Sequence, residues 1–329
     1  MSTGFIEGSF ADANVLITKI NQQLNQDLPL AQTVYDKISM VDTSNAYGLI
    51  AMYPFHVGGS IEAEIGYKNP MKFSEPLIEE ITCRVNMFGS NPGLLVPLYN
   101  ELDPYGVVKR HANDWLRLLP KIPDRRLAKL INANGNWVDG QPFFGTHVVN
   151  REVKSGLSTT TFTNDLTVTG SAENWYLTAF DALRSIPGYD GALLNVDMSY
   201  VKIVCSSMKL GLKFIKLFNE GINAEQIGGA AASTTTRLVG SGEVIVMPEL
   251  YDPAVPNSDR QFYMINTDML KTRPPFVVRI AHQPQIEMTS GGPDDDIARS
   301  MSARGVYFKT SQGYAYGLPH KIVRCTVTG

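Results

Sequence analysis

The sequence predicts an α+β fold, and three observations support this prediction. Strand-like runs rich in Val, Ile, Tyr and Phe occur in both halves of the chain, with helical periodicity confined to a few segments between them. Hydrophobic residues make up 43% of the 329 residues, which is enough for a sizeable core in two domains or one composite unit. No internal repeat of fixed period is present.

The net charge and the hydropathy pattern argue against a nucleic-acid-binding protein and a membrane protein. The net charge of −3 provides no basic excess for gripping a nucleic-acid backbone. The N-terminus lacks the basic and apolar regions of a signal peptide, and no apolar run is long enough to span a bilayer. We therefore expect a protein that is made in a cytoplasm, and used or assembled there, with no membrane partner.

The three cysteines are predicted to be buried small hydrophobes. Cys83, Cys205 and Cys325 are far apart, odd in number and each placed in a β-like run. No CxxC motif occurs, so the sequence predicts neither a disulfide framework nor a zinc site. This cysteine usage fits a reducing compartment.

The first part of the chain predicts two features that need an external surface. Residues 1–33 read as a polar arm with a short helix, which would not be expected to order alone. Residues 34–92 predict a long two-stranded excursion, formed by "NAYGLIAMYPFHV" and "EEITCRVNMFG", with a glycine- and proline-rich tip. Because an isolated hairpin is poorly stable in water, we expect this excursion to pack outside its own subunit.

Residues 93–134 predict a long, broken helix. Leu94, Leu98 and Leu102 are spaced by four, and a second stripe includes Trp115 and Leu119. Two prolines interrupt the pattern, and "NANGNW" supplies a glycine stop.

The second half alternates helices and strands. Residues 174–186 predict an amphipathic helix that ends at Pro187 and Gly188. "DMSYVKIVCSS" and "MKLGLKFIKLFNE" predict a strand followed by a helix. Residues 222–241 predict a small, polar loop, and the remaining chain predicts further strands, ending in one or two closing strands from Arg304 onward.

The sequence contains few catalytic signals. It has no phosphate-binding glycine loop, no HExxH and no GxSxG motif, and no two of its five histidines lie within four residues of each other. Asp294, Asp295 and Asp296 could hold Mg²⁺ or Ca²⁺, but a turn with Asp296 capping a short helix is the favoured interpretation. We predict no catalytic residue, no metal and no cofactor.

The stretch "DGQPFFGTHVV" is the strongest local marker. Asp139 and Gly140 predict a turn after the helical region. Phe143 and Phe144 point to opposite sides if the segment is extended, so at least one should anchor it in a core. We interpret His147 as a hydrogen-bonding corner residue rather than a base. Phe143→Ala or Phe144→Ala is expected to impair folding or assembly, and His147→Ala to be milder.

Together these segments resemble one protein family. "DGQPFFGTH" after a long helix, and the order of arm, β-excursion, helix and later strand–helix units, resemble the major head subunit of Mu-like tailed phages and the Hong Kong 97-type capsid fold. The resemblance covers roughly residues 34–329 and carries no catalytic signature.

The resemblance implies a domain organisation. Residues 1–33 would be the N-terminal arm, and residues 34–92 the extended loop with its flanking strands. Residues 93–170 and 251–300 would form the peripheral domain with its long spine helix. Residues 171–250 and 301–329 would form the axial domain.

The resemblance also implies a shell-forming protein found in the virion capsid and assembled in the host bacterial cytoplasm. Pentamers and hexamers of one chain would enclose packaged double-stranded DNA without sequence-specific binding, with a portal and a separate scaffold or decoration protein as further partners. The extended loop would contact a neighbouring subunit through five residues: Tyr67, Lys68, Met71, Lys72 and Phe73. Some relatives form an isopeptide crosslink from a lysine on this loop, but nothing here singles out a partner for Lys68 or Lys72, and we expect no crosslink.

Three other hypotheses remain open at this point. An encapsulin-type compartment would enclose an enzyme instead of a genome. A cation-dependent hydrolase would use Asp294–Asp296 with His147 or His282. A tail or baseplate binding module would also be β-rich.

Overall fold

A computed structural model gives the arrangement of most of the chain. The residues that the structure describes are 18, 21–22, 24–26, 33–44, 49–57, 78–90, 94–97, 114–149, 161–188, 193–220, 242–289 and 303–328.

The described residues form four named helices, four short 3₁₀ turns and thirteen strands. The helices are α1 (Tyr35–Ile38), α2 (Ile122–Ala133), α3 (Ala172–Arg184) and α4 (Met208–Glu220). The 3₁₀ turns are Leu119–Lys121, Pro248–Leu250, Ser258–Arg260 and Pro319–Lys321. The strands are β1 (Met40–Asp42), β2 (Ile50–His56), β3 (Ile78–Gly89), β4 (Leu94–Pro97), β5 (Thr146–Val148), β6 (Thr161–Thr163), β7 (Asp165–Val168), β8 (Val201–Cys205), β9 (Glu243–Val246), β10 (Gln261–Asn266), β11 (Phe276–Met288), β12 (Ala303–Tyr316) and β13 (Ile322–Val327).

The first sheet has six strands in the order β1-β11-β12-β3-β2, with β4 also paired to β12. Strand β1 is parallel to β11, and the other pairs are antiparallel. β11 pairs with β12 along most of their length, with register shifts between Ile280 and Gln285. β3 and β4 both pair with β12, so segments far apart in sequence meet in one sheet.

The second sheet has five strands in the order β7-β13-β10-β8-β9 and lies between two cores. All six residues of its central strand β10 are buried, as expected for a strand covered on both faces. Phe262 and Met264 face a core with helices α3 and α4. Tyr263 and Ile265 face the core that also holds α2 and the six-stranded sheet.

Helices α3 and α4 form as their sequence periodicity predicts. Ser171 caps α3 by accepting a hydrogen bond from the Asn174 N–H at 3.3 Å. Both helices bury an apolar stripe against the five-stranded sheet and expose the opposite face, which fits the spacing of apolar residues in each. The prediction of a strand–helix unit at residues 197–220 is confirmed by β8 and α4.

The prediction of one broken helix over residues 93–134 is wrong at its start. Leu94–Pro97 is strand β4, whose register pairs Leu94 with Val306 and Pro97 with Ala303. The four-residue spacing of leucines imitated a helix stripe, but tertiary pairing with β12 decided the conformation. Helical structure covers residues 114–118 and 122–133, joined by the 3₁₀ turn at the prolines, and residues 98–113 lie outside the described residues.

The two-stranded excursion is confirmed as the antiparallel pair β2 and β3. Their register pairs Ile50 with Arg84 and His56 with Ile78. Strand β3 also pairs with β12, which anchors the base of the hairpin in the six-stranded sheet. The tip lies outside the described residues.

The polar arm contacts the six-stranded sheet. The Asn21 side chain donates to the Ile286 carbonyl at 2.8 Å and accepts from the Ile286 N–H at 2.9 Å. Leu24 is fully buried. These contacts give part of the arm a surface on β11, beside the register shifts of that strand.

The sheets cut across two of the expected domain boundaries. β10 pairs with β8 and β13, although residues 251–300 were assigned to the peripheral domain. β12 pairs with β11 and β3, although residues 301–329 were assigned to the axial domain. Strand partners are set by contacts far apart in the sequence, so contiguous segments did not reveal them.

The three cysteines are buried, as predicted. Burial raises the pKa of the Cys83 thiol to about 11, which keeps it protonated and unreactive at neutral pH. Among the described helices, none is both long and apolar enough to cross a membrane.

Candidate functional site: a buried corner between the two sheets

The corner begins where α2 ends. Asn134 adopts a left-handed conformation (φ 42°, ψ 47°), a backbone state that asparagine tolerates at helix ends. Its side-chain amide donates to the Phe144 carbonyl at 3.2 Å and accepts from the Phe144 N–H at 2.7 Å. The helix end is thereby joined to the phenylalanine pair ten residues later.

Residues 137–141 form the predicted turn. The Gly140 N–H donates to the Trp137 carbonyl at 2.9 Å, and the Trp137 N–H donates to the Gln141 carbonyl at 2.7 Å. Gly140 has a φ of 81°, which an L side chain rarely adopts. An Asp139 carboxylate oxygen accepts from the Gln141 N–H at 3.0 Å, leaving its other oxygen to face inward.

Phe143 and Phe144 are both buried and contact different sheets. The Phe143 ring stacks on Tyr316 of β12, with ring centroids 4.6 Å apart. The Phe144 ring contacts Tyr263 of β10 at 5.5 Å and lies under the Arg324 guanidinium at 4.7 Å. The pair therefore connects the six-stranded sheet to the five-stranded sheet.

Asn164 closes the corner from the other side. Its carbonyl oxygen accepts from the Gly145 N–H at 2.9 Å, and its amide nitrogen donates to the Phe143 and Pro319 carbonyls at 3.0 and 3.3 Å. The side chain has no exposed surface, so these bonds replace those it would make to water. One amide thus joins the loop before β5 to the turn before β13.

Arg324 holds the adjacent strand by a two-pronged ion pair. Its guanidinium donates to both Asp165 carboxylate oxygens, at 2.9 and 2.6 Å. This pair raises the pKa of Arg324 even though burial acts to lower it. Paired and stacked on Phe144, the guanidinium stays charged in a largely buried place.

His147 is a second fully enclosed polar group of the corner. Its side chain is fully buried, with Nδ1 2.7 Å from the inward Asp139 oxygen and Nε2 3.0 Å from the Phe143 carbonyl. Both partners are oxygen acceptors, so the ring can donate to either of them, and the two contacts hold it in one orientation. This arrangement fits a corner residue that fixes the turn.

A second buried histidine lies on the same aromatic group. The rings of His147 and His320 both contact Trp137, at 5.5 and 6.0 Å, and Phe162, at 5.3 and 4.6 Å. Burial lowers the pKa of His320 to about 3, and the charge of His147 acts in the same direction. Trp137 also donates its indole N–H to the Gly317 carbonyl at 2.7 Å.

The structure brings together all five corner residues that the sequence singled out: Asp139, Gly140, Phe143, Phe144 and His147. Their bonds point inward, toward the helix end and the two sheets, which supports a structural role for the corner. Sequence reasoning missed Asn164, Tyr316 and Arg324, because an isolated polar or aromatic residue in a strand-like run carries no signal of its distant partner.

The other predicted residues are placed differently or not described. Tyr67, Lys68, Met71, Lys72 and Phe73 lie outside the described residues, as do Asp294–Asp296. His282 is exposed on β11, far in sequence from the corner. Within the described residues, no group of three or more His, Cys, Asp or Glu side chains is arranged to hold a metal ion.

Comparison by sequence finds no relative: no protein-family description matches the chain, and no curated protein matches it. Comparison by structure finds similar chains. A chain of the bacteriophage PhiM1 mature capsid superposes with a TM-score of 0.53 at 9% identity, covering 100% of this chain and 91% of that one. The protein has the fold of a tailed-phage capsid protein.

Two other solved capsid structures are also similar to this chain. The cyanophage P-SCSP1u capsid chain has a TM-score of 0.49 at 11% identity, covering 91% of this chain and 89% of that one. The capsid chain of a native GTA particle has a TM-score of 0.49 at 14% identity, covering 91% of this chain and 93% of that one. The predicted α+β, Hong Kong 97-type capsid fold is confirmed.

Proposed function

We propose that this chain is the major capsid protein of a tailed double-stranded DNA bacteriophage, of the Mu-like head-subunit type. Its copies assemble as pentamers and hexamers of an icosahedral head. The main support is the common fold with a mature phage capsid chain over the full length of this chain. No enzymatic role is proposed.

The β2–β3 hairpin supports this proposal physically. Its outer face exposes Ile50, Met52 and Ile78, each by about half or more of its surface. A lone subunit rarely leaves neighbouring apolar side chains on one strand face in water, whereas an assembled subunit covers them. The extended loop then reaches a neighbour through Tyr67, Lys68, Met71, Lys72 and Phe73.

The domain assignment follows the sheets under this proposal. The peripheral domain comprises α2 and the six-stranded sheet, and the axial domain comprises the five-stranded sheet with α3 and α4. The corner at residues 134–147 joins the two. Its residues keep the domains in one relative position during assembly.

The partners follow from the role of a shell. They are other copies of the chain, a portal, a separate scaffold or decoration protein, and packaged DNA held without sequence readout. The protein is assembled in the host bacterial cytoplasm and ends in the virion.

Negative-stain microscopy and light scattering of the expressed protein test the proposal. Shells or capsomers of many subunits are expected. Particles that contain an enzyme and no DNA, when purified from infected cells, would instead indicate an encapsulin-type compartment. A monomer that stays monomeric at high concentration under all assembly conditions contradicts the proposal.

A further inference from the structure

Helices α3 and α4 cover one face of the five-stranded sheet side by side. α3 packs on β7, β13 and β10, and α4 packs on β8 and β9. The inner sides of the two helices meet through aromatic rings, such as Tyr176 and Phe218 at 5.3 Å. Their outer sides face away from the sheet and carry exposed side chains in the described part of the chain.

The outer face of α4 combines apolar and basic side chains. Met208 is 61% exposed and Leu212 is 48% exposed, and Lys209 and Lys216 are exposed beside them. At about 100° per residue, these four residues lie within roughly 100° of the helix surface. The result is an apolar strip bordered by positive charge.

Two lysines of α4, Lys209 and Lys216, form no ion pair in the part of the chain that the structure describes. Lys213 lies over the Trp175 ring at 4.6 Å, so the positive stripe continues toward α3. A partner with carboxylates beside an apolar residue would complement this face.

The outer face of α3 has that composition. Leu177 is 42% exposed and lies one turn from Glu173 and one turn from the exposed Asp181. Arg184 follows in the last turn, beyond the two acids. The order acid, leucine, acid along α3 matches the order base, leucine, base at Lys209, Leu212 and Lys216 of α4.

The strand directions fix the relative direction of the two helices within one subunit. β7 is parallel to β13, β13 is antiparallel to β10, and β10 is antiparallel to β8, so β7 and β8 point the same way. Each helix follows its strand after a short turn and packs back on the sheet. α3 and α4 therefore run in the same direction in one subunit.

We propose that α3 of one copy packs against α4 of the next copy around each ring of the shell. This inference rests on the proposed function, and it assigns the residues of one contact between subunits. Glu173 and Asp181 pair with Lys209 and Lys216, and Leu177 packs on Met208 and Leu212. Because the contact uses two different patches of the same chain, it is heterologous and closes into a ring when the rotation allows.

A second copy fits this surface better than packaged DNA does. Phosphates would pair with the lysines but would leave Met208 and Leu212 exposed to water. A helix with a leucine between two acids covers the apolar strip and satisfies the charges together. Such a helix is present in the same chain.

Charge reversal tests the contact. Lys209→Glu with Lys216→Glu places acids against acids and is expected to lower the assembled fraction by about ten-fold or more, measured by sedimentation velocity. Glu173→Lys with Asp181→Lys is expected to do the same. Combining all four substitutions restores opposite charges and is expected to restore assembly. Circular dichroism and thermal melting check that each variant folds.

A matched control changes the same charge elsewhere. Arg125→Glu with Lys129→Glu alters two exposed residues of α2 and is expected to leave this helix contact, and ring formation, intact. If the wild type and both reversed pairs assemble equally, the helix contact is wrong while the capsid role stands. If the two charge-reversed double variants fold but do not assemble, and the variant with all four substitutions does not assemble either, the proposed pairing of these residues is wrong. A wild type that never assembles contradicts the proposed function itself.

Discussion

At the scale of single residues, a few buried polar side chains connect the two sheets by hydrogen bonds. Asn164 bonds to three backbone groups, and Asn134 bonds to both backbone groups of Phe144. Each bond replaces one to water, so its net contribution is about 1 kcal/mol, but leaving such a buried group unpaired costs more. The stability of the corner therefore depends on every buried polar group having a hydrogen-bond partner. Substitution of its aromatic and charged residues should lower that stability.

Truncation of the corner side chains should therefore be costly. Phe143→Ala and Phe144→Ala are each expected to lower the free energy of unfolding by about 3–5 kcal/mol, because each empties a fully packed site. The geometry revises the expectation for His147→Ala from mild to about 3 kcal/mol, because it leaves the Asp139 carboxylate without its buried partner.

Urea unfolding of the isolated subunit measures these costs. Tyr200→Ala, at an exposed aromatic residue, should change the free energy of unfolding by less than about 0.5 kcal/mol. A loss below about 1 kcal/mol for both phenylalanines would show that the corner does not hold the sheets together.

His320 makes the subunit sensitive to acid. Its pKa is about 3 in the folded state and near 6.5 when unfolded, so the unfolded chain binds more protons as the pH falls between these values. Stability is thus expected to fall with pH below about 6.5, with a limiting slope of about 1.4 kcal/mol per pH unit from this group. His320→Gln should reduce that slope in urea unfolding measured from pH 7 to pH 4.

The exposed Val196 provides the control for this measurement. Val196→Ala removes no titratable group and is expected to leave the pH dependence unchanged. An unchanged slope in His320→Gln would mean that other groups cause the acid sensitivity.

At the scale of elements, strands meet at points of close backbone approach. Gly317 follows β12, and its N–H donates to the Pro275 carbonyl at 2.7 Å just before β11 begins. A Cβ built on Gly317 would lie 2.1 Å from the Pro274 oxygen, so no side chain fits without moving the backbone. The Gly317 carbonyl also accepts from Trp137, which ties this crossing to the corner.

Two glycine substitutions separate steric overlap from backbone conformation. Gly317→Ala is expected to destabilise the subunit by about 3 kcal/mol through overlap with backbone atoms. Gly140→Ala meets no atom within 4 Å and should cost only about 1–2 kcal/mol, from its φ of 81°. Thermal unfolding measures both, and an equal or smaller loss for Gly317→Ala would show that the crossing adjusts easily.

At the scale of the whole molecule, two cores share one sheet. The five-stranded sheet packs on α3 and α4 with one face and on the α2 core with the other, so the two halves form a continuous body through β10. The hairpin extends from the edge of the other sheet. The hairpin and the helix layer are separate surfaces of this body, and both would face neighbours in the proposed shell.

Assembled shells are expected to contain no covalent crosslink. Lys68 and Lys72 belong to the segment that we propose as the extended loop, but the sequence indicates no partner for either. A denaturing gel or intact-mass spectrum of purified shells should show a single species at the chain mass of 36.2 kDa. A ladder of covalent multimers would contradict this expectation, and Lys68→Arg and Lys72→Arg would then identify the reacting lysine.

The sequence alone determined the features that depend on neighbouring residues. Apolar spacing predicted α3 and α4, alternation predicted β3, and at least one residue of the phenylalanine pair was predicted to anchor in a core. These patterns report which face of a local segment is buried, and that information is contained within about a dozen residues.

Only the tertiary structure decided which segments meet. Leu94–Pro97 became a strand because Ala303–Val306 pairs with it, about 200 residues later. β10 pairs with β13, and β12 pairs with β11, through contacts that are likewise far apart in the sequence or set by the whole sheet. His147 contacts Asp139, which is only eight residues away in the sequence. Asn164 and Arg324 reach the corner because distant segments pack together, which no local sequence pattern indicates. Strand pairing and buried polar networks join residues that are far apart in the sequence. Their stabilising free energy therefore depends on partners that the sequence of a single segment does not indicate.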